Sequence, residues 1–208
     1  MVDRQVEDLL RAEYFELLPE LRRVQTQLET QIRCALLSFS TRLTKFERLE
    51  VKSRIKDCES AIKKLLPETG IFDPERASSY TLKGLDDMVG VRVLSFPAAL
   101  GQELNNVLRK EFPDWVEKPF HKHDRWAGFK YIGKTIGNRE ITAEYQVLSA
   151  LVGAFWDVEH SAIYKPTPEL RGAVKTPAMR AKRENVMRAL LEFETAFVTA
   201  VRERDSSR

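Results

Sequence analysis

Three short constellations combine residue types that phosphate chemistry uses. The first is Arg54-Ile-Lys56-Asp-Cys-Glu-Ser60-Ala-Ile-Lys-Lys64. If Val51 to Lys56 forms a strand, its period of two delivers Arg54 and Lys56 to one face. A helix capped by Asp57 then sets Ser60 and Lys64 one turn apart. Cations, a hydroxyl and a helix start that converge in this way make a cradle for polyphosphate. The second constellation is Asp87-Met-Val-Gly90-Val-Arg92, an acidic residue at the mouth of an apolar run, with a glycine that permits close approach. The third is Glu144-Tyr-Gln146, two polar side chains on one face of a strand. Taken singly, each is an ordinary solvated or strand-end group. Together, Asp87 and Glu144 could hold Mg²⁺ and position a hydroxyl nucleophile, the minimum apparatus of phosphoryl-type transfer.

Charge is distributed unevenly. The net charge is only +3, but residues 118–139 carry Lys118, Lys122, Arg125, Lys130, Lys134 and Arg139 against Asp124 alone. Such a run is a solvated loop unless neighbouring motifs make it a polyphosphate or nucleic-acid surface. His121 and His123 fall within it, and two histidines in a basic loop are expected to be unliganded. Cys34 and Cys58 have no metal-ligand spacing and read as reduced structural thiols.

Positioning these residues falls to a chain of 208 residues, enough for one well-cored domain with helical extensions. Residues 3–48 read as helix. Leu17, Leu21, Val24, Leu28 and Ile32 form an apolar stripe, with a break expected near residue 18 because Pro19 suits a helix start. A loop with Pro67, Gly70, Pro74, Ser78 and Ser79 follows the first strand and helix. Met88–Leu94, Trp115–Val116, Phe129–Ile136 and Ile141–Leu148 read as strands. Helices are expected from Pro97 to about Glu111 and from Ala150 to His160. After a loop with Pro166 and Pro168, Thr176 caps a last helix. Strands between long terminal helices predict an α+β domain with a mixed sheet. The boundaries read as a helical extension over 1–48, a central domain over 49–166 and a C-terminal helix over 167–208. No apolar run nears the ~20 residues of a membrane span, and the N-terminus lacks a signal-peptide pattern. A cytoplasmic protein without membrane contact is expected. The stripes Leu21, Val24, Leu28, Ile32 and Leu190, Phe193, Phe197 suggest homo-oligomerisation.

The ordered set R-x-K-x-x-x-S-x-x-x-K, D-x-x-G-x-R and E-x-Q, then Trp156-Asp-Val-Glu159-His160 and Tyr164-Lys165, resembles the synthetase domain of the RelA/SpoT family over residues 45–166. The resemblance implies a nucleotidyltransferase-like fold with a mixed sheet of about five strands. It implies transfer of the ATP β,γ-pyrophosphate to the ribose 3′-hydroxyl of GDP or GTP, yielding the alarmones ppGpp or pppGpp and AMP. Arg54 and Arg92 would sandwich adenine, and Lys56, Ser60 and Lys64 would hold the ATP phosphates. Asp87 and Glu144 would bind Mg²⁺, with Glu144 also the candidate base. The acceptor would meet Phe129, Lys130, Tyr131, Gln146, Lys122 and Arg125. The helix with Trp156, Glu159 and His160 would support the sheet. The family's hydrolase domain, with its histidine metal motif, is expected to be absent, since His121, His123 and His160 all follow the first motif.

Two departures fall on the acceptor side. The family's guanine loop, G-Y-x-S-x-H, is here Gly128-Phe129-Lys130-Tyr131-Ile132-Gly133, with Phe129 fifteen residues before Glu144. Leu148-Ser149 stands where the family has Arg-Thr. Three readings follow: an alarmone synthetase with a variant guanine pocket, a relative of the toxic synthetases that modify the tRNA 3′-CCA end, or a non-catalytic nucleotide sensor. For tRNA, Trp126, Phe129 and Tyr131 would supply stacking surfaces.

Overall fold

A computed structural model describes residues 2–66, 80–122, 125–138, 140–161, 171–174 and 176–206, with the side chains of 2–5, 121–122, 125–126, 171 and 205–206 left aside. The expected loop around Pro67, Gly70, Pro74, Ser78 and Ser79 lies outside these residues, as do His123, Asp124, Arg139, Tyr164, Lys165, Pro166 and Pro168.

The apolar stripe of the N-terminal segment builds one long helix, α1 (Val2–Ala35), followed by the short α2 (Leu37–Ser40). The break expected at Pro19 does not occur, because Pro19 lies inside α1. An interior proline costs about 3 kcal/mol through its missing N–H and its clash with the preceding turn. Leu21, Val24, Leu28 and Ile32 are each 0% exposed, and complete burial of one such side chain is worth about 1.5–3 kcal/mol. The stripe therefore outweighs the proline. The same burial removes this stripe as a surface for self-association: it is already spent on the chain's own sheet. On the C-terminal helix, Phe193 does remain exposed.

The chain then forms β1 (Arg48–Ile55), α3 (Cys58–Leu65), β2 (Val89–Phe96), α4 (Gly101–Glu111), β3 (Val116–Glu117), β4 (His121–Lys122), β5 (Arg125–Trp126), β6 (Phe129–Gly133), β7 (Ala143–Ser149), α5 (Ala150–Glu159), α6 (Arg171–Val174) and α7 (Pro177–Ser206). Asp57 caps α3 by accepting from the Ser60 N–H, and Thr176 caps α7 by accepting from the Met179 N–H, as their types and positions predict. The sheet has five strands in the order β1-β2-β7-β6-β3, and β4-β5 form a separate ribbon. β2 and β7 run parallel, while β1–β2, β7–β6 and β6–β3 are antiparallel, giving the expected mixed sheet of an α+β fold.

Strand alternation sorts the side chains onto two faces. Val51, Val89, Val91, Val93, Tyr131, Ala143, Tyr145 and Val147 join the α1 stripe and Leu104 and Leu108 of α4 in the main core. A smaller cluster on the other face joins Leu94 of β2 and Leu148 of β7 to Val152 and Trp156 of α5 and Met187 of α7. The helices α5 and α7 thus cover that face only at the C-terminal ends of β2 and β7. The N-terminal ends are left open beside them, and the polar residues lie there.

Candidate active site

Register assembles the open half-face. Arg54 is paired with Gly90, and Gly90 with Glu144, across three neighbouring strands. One step along, Lys52 is paired with Arg92, Arg92 with Gln146, and Gln146 with Lys130. Gly90 leaves room between its neighbours: a Cβ there would lie 3.4 Å from Glu144 Oε1 and 3.7 Å from Arg54 Nε. Lys52, Arg54, Gly90, Arg92, Glu144 and Asp157 line a cleft of about 200 Å³ at this point.

A continuous polar chain runs across the cleft floor. Arg92 donates from its terminal nitrogen to Asp157 Oδ1 at 2.6 Å and from Nε to Gln146 Oε1 at 3.3 Å. Gln146 Nε2 donates to Glu144 Oε1 at 2.9 Å, and Lys130 Nζ lies 2.8 Å from Glu144 Oε2. Glu144 is 3% exposed, so its charge depends on these partners. The amide of Gln146 has one satisfactory orientation. A flip would set its NH₂ against Arg92 and its oxygen against the carboxylate.

A second cluster adjoins the first at the loops that flank β1 and β2. Asp87 Oδ2 accepts from Lys56 Nζ and Lys64 Nζ, each at 3.0 Å. Burial opposes ionisation of Asp87, but the two lysines outweigh it and hold its carboxyl below the usual carboxylate range. Lys56 is tied in place by its own N–H, which donates to the Met88 carbonyl at 2.8 Å. Ser60 sits in the first turn of α3, one turn before Lys64.

The sequence-predicted donor residues Arg54, Lys56, Ser60, Lys64, Asp87 and Arg92 therefore occupy this one region of the sheet. Glu144, Gln146 and Lys130 join them. Asp87 and Glu144 are paired with separate cations, Asp87 with Lys56 and Lys64 and Glu144 with Lys130. No three His, Cys, Asp or Glu side chains gather as a metal site among those residues. The donor set nevertheless suits Mg²⁺, which takes one or two carboxylates and completes its shell with water and substrate phosphate. Asp87 Oδ1 is buried without a hydrogen-bond partner, the kind of orphaned oxygen that a cation would satisfy.

The acceptor aromatics are a correction. Phe129 and Tyr131 are paired with Val147 and Tyr145, so alternation turns both rings to the core face, away from Glu144 and Gln146. Tyr131 is 1% exposed and stacks on Tyr145 with ring centroids 5.0 Å apart. Its ring is a core element, and Phe129 packs partly buried against the same core. Lys122 and Arg125 are paired in the β4–β5 ribbon, and their side chains lie outside those described. Trp156 of α5 is buried in the smaller cluster against the sheet, and Glu159 forms an ion pair with Arg183 of α7, so both side chains hold this helix to its neighbours.

Sequence reasoning missed two charged cleft residues, Lys52 and Asp157. Lys52 extends the alternation of Arg54 and Lys56 by one step, so the same period would have found it. Asp157 had no local signal, because only the packing of α5 over β2 brings it to the cleft.

By sequence, no family profile and no curated protein matches the chain. Solved structures do. Small alarmone synthetase 2 from Bacillus subtilis superposes with a TM-score of 0.70 at 15% identity, covering 92% of this chain and 99% of that one. Small alarmone synthetase 1 from Bacillus subtilis, bound to its product pppGpp, gives 0.68 at 13% identity, with coverages of 92% and 98%. A GTP pyrophosphokinase family protein from Streptococcus pneumoniae gives 0.64 at 17% identity, with coverages of 94% and 96%. The chain has the fold of the small alarmone synthetases from end to end of those proteins.

Proposed function

We propose that the protein is a pyrophosphokinase that transfers the β,γ-pyrophosphate of ATP to the ribose 3′-hydroxyl of GDP or GTP. One observation carries this reading: Arg54, Arg92 and Glu144 surround one cleft beside the Lys56–Lys64–Asp87 cluster, on the open half of a sheet with the small-alarmone-synthetase fold. The small alarmone synthetase 1 structures bound to AMPCPP and to pppGpp support a donor and a product of this class.

In this reading the donor base lies between Arg54 and Arg92, and the triphosphate takes over Lys56 and Lys64 from Asp87. Asp87, through its orphaned Oδ1, and Glu144 would hold Mg²⁺, which when bound supplies charge neutralisation on the triphosphate. The acceptor 3′-oxygen attacks the β-phosphorus, and the bond from that phosphorus to the α,β-bridging oxygen breaks. AMP leaves with the bridging oxygen. Glu144, fixed by Gln146 and Lys130, takes the hydroxyl proton. The residues mainly bind and orient, as expected where positioning and electrostatics do most of the work.

The acceptor side supports guanine less directly, since Phe129 and Tyr131 face the core. That observation keeps a second acceptor class in view, a tRNA 3′ end held by the basic stretch around residues 118–139. The test is to incubate purified protein with Mg²⁺ and ATP labelled in its γ-phosphate, adding GDP, GTP or bulk tRNA. Label in GDP or GTP with matching AMP release is the expected outcome. Label in tRNA alone assigns the second acceptor. AMP release with none of them means that the acceptor reading is wrong.

A further inference from the structure

The rim of the cleft carries a carboxylate with no role in the scheme above. Asp157 belongs to α5, whose packed face is marked by Val152, Gly153 and Trp156, all buried. Gly153 lets α5 come down onto β2: a Cβ at this position would lie 2.7 Å from Leu94 Cδ2. Gly153 and Asp157 are one helical turn apart, a rise of about 6 Å. Leu94 and Arg92 are two residues apart on one strand face, a span of about 6.6 Å. With Gly153 seated on Leu94, the next turn of α5 therefore sets Asp157 over Arg92, and the 2.6 Å bond results.

This bond does something for Arg92 that Arg54 lacks. The Arg92 guanidinium is held at two points, by Asp157 from the helix and by Gln146 from the neighbouring strand. Two fixed acceptors define the plane of the group, leaving its flat face for stacking. Arg54, on the opposite side of Gly90, has no carboxylate partner among the described residues. The cleft thus has one preset wall and one adjustable wall. A preset wall spares a ligand the entropy of ordering a long side chain.

We propose that Asp157 is a positioning residue for the nucleobase of a purine nucleoside triphosphate, acting by pinning Arg92 as the preset wall of the donor slot. The proposal rests on the donor reading above, and it extends to Gly153, which sets the height of Asp157 over the sheet. It requires no contact between Asp157 and the ligand.

Calorimetric titration of the intact protein with the non-hydrolysable donor AMPCPP and Mg²⁺ tests it. Asp157 is half exposed, and such substitutions away from a core seldom disturb folding. Asp157→Ala is expected to weaken AMPCPP about 5-fold, the value of a well-placed, partly solvated ion pair. Asp157→Asn keeps an acceptor oxygen and should recover to within about twofold of wild type. In an Arg92→Ala background, Asp157→Ala should have no further effect, since the residue acts through Arg92. Equal affinity of wild type and Asp157→Ala would overturn the proposal. So would an undiminished effect of Asp157→Ala without Arg92, or a failure of Asn to restore binding. Turnover is scored separately. AMPCPP binding with the predicted coupling, but no AMP release from ATP with any acceptor, would retire the pyrophosphokinase reading and leave the slot standing. Normal turnover with no coupling would do the reverse.

Discussion

The donor and acceptor halves of the sheet are built from the same alternation, yet they use their conspicuous residues in opposite ways. On β1 and β2, Arg54, Gly90 and Arg92 fall on the open face, and the apolar residues between them enter the core. On β6, the residues that stand out chemically, Phe129 and Tyr131, fall on the core face, and Lys130 turns toward Glu144. Residue type is therefore a reliable guide only where the charge that defines a motif also forbids its burial. An arginine on a half-buried strand must find the solvated face. An aromatic ring is content on either side, and the register decides.

The comparison can be broken at several points. The largest effect is expected on the donor side. Asp87→Asn removes the charge that holds Lys56 and Lys64 and would bind the cation, so turnover should fall at least about 100-fold. ATP-analogue binding should persist, because both lysines are then released to the phosphates. AMP release and calorimetric affinity measured on the same preparation check this, and turnover within about threefold of wild type would refute the role.

On the acceptor side, stability should respond before substrate use does. Tyr131→Ala should cost about 3–5 kcal/mol of unfolding free energy, as for other buried aromatics, read by urea denaturation. Tyr131→Phe should cost only about 1 kcal/mol, because it keeps the ring and removes a hydroxyl that accepts a long bond from Asn105 Nδ2 at 3.4 Å. A Phe129→Ala variant with a raised acceptor KM and unchanged stability would show that its ring leaves the core during catalysis.

A third substitution probes the joint between the halves. Gly128 has φ +150°, and a Cβ there would lie 2.2 Å from the Val147 carbonyl oxygen. Gly128→Ala should therefore destabilise by about 2–3 kcal/mol through overpacking and backbone strain. For a chain of this size, that lowers Tm by about 4–12 °C in a calorimetric scan.

The smallest effect concerns the support behind the cleft. Glu194 of α7 is 2% exposed and accepts from Ser149 Oγ at the start of α5 and from the Ala98 N–H. Burial pushes its carboxyl above the ordinary value, more than these two bonds pull it down. A raised folded-state value means that its contribution is complete below the unfolded-state pKa and is lost as pH rises through the folded one. Glu194→Gln should thus raise Tm slightly near neutral pH and flatten the pH dependence just above the carboxylate range. A larger loss of Tm at neutral than at acid pH would reverse the sign and refute the assignment.

Much of the site was legible in the sequence because its elements are local. Arg54 and Lys56 share a face by period two, Asp57 and Ser60 announce a helix start, and Glu144 and Gln146 share a strand face. The helix caps, the apolar stripes and the order of strands and helices follow from the same short-range rules. Pro19 was misleading because propensity is a matter of a few kcal/mol, and four fully buried side chains exceed it.

The sequence by itself determined which residues can carry charge toward phosphate and in what order the elements that bear them occur. It also determined that Arg54, Arg92 and Glu144 would avoid the apolar face, since desolvating an unpaired charge costs more than any strand gains. Only the tertiary structure decided that Phe129 and Tyr131 belong to the core, because a shift of one residue in the β6–β7 register would expose both rings. Only it seated Gly153 on Leu94 and so brought Asp157 to Arg92, residues 65 positions apart in the chain. Contacts of that kind depend on how closely two packed elements approach, a quantity that no local pattern of residues contains.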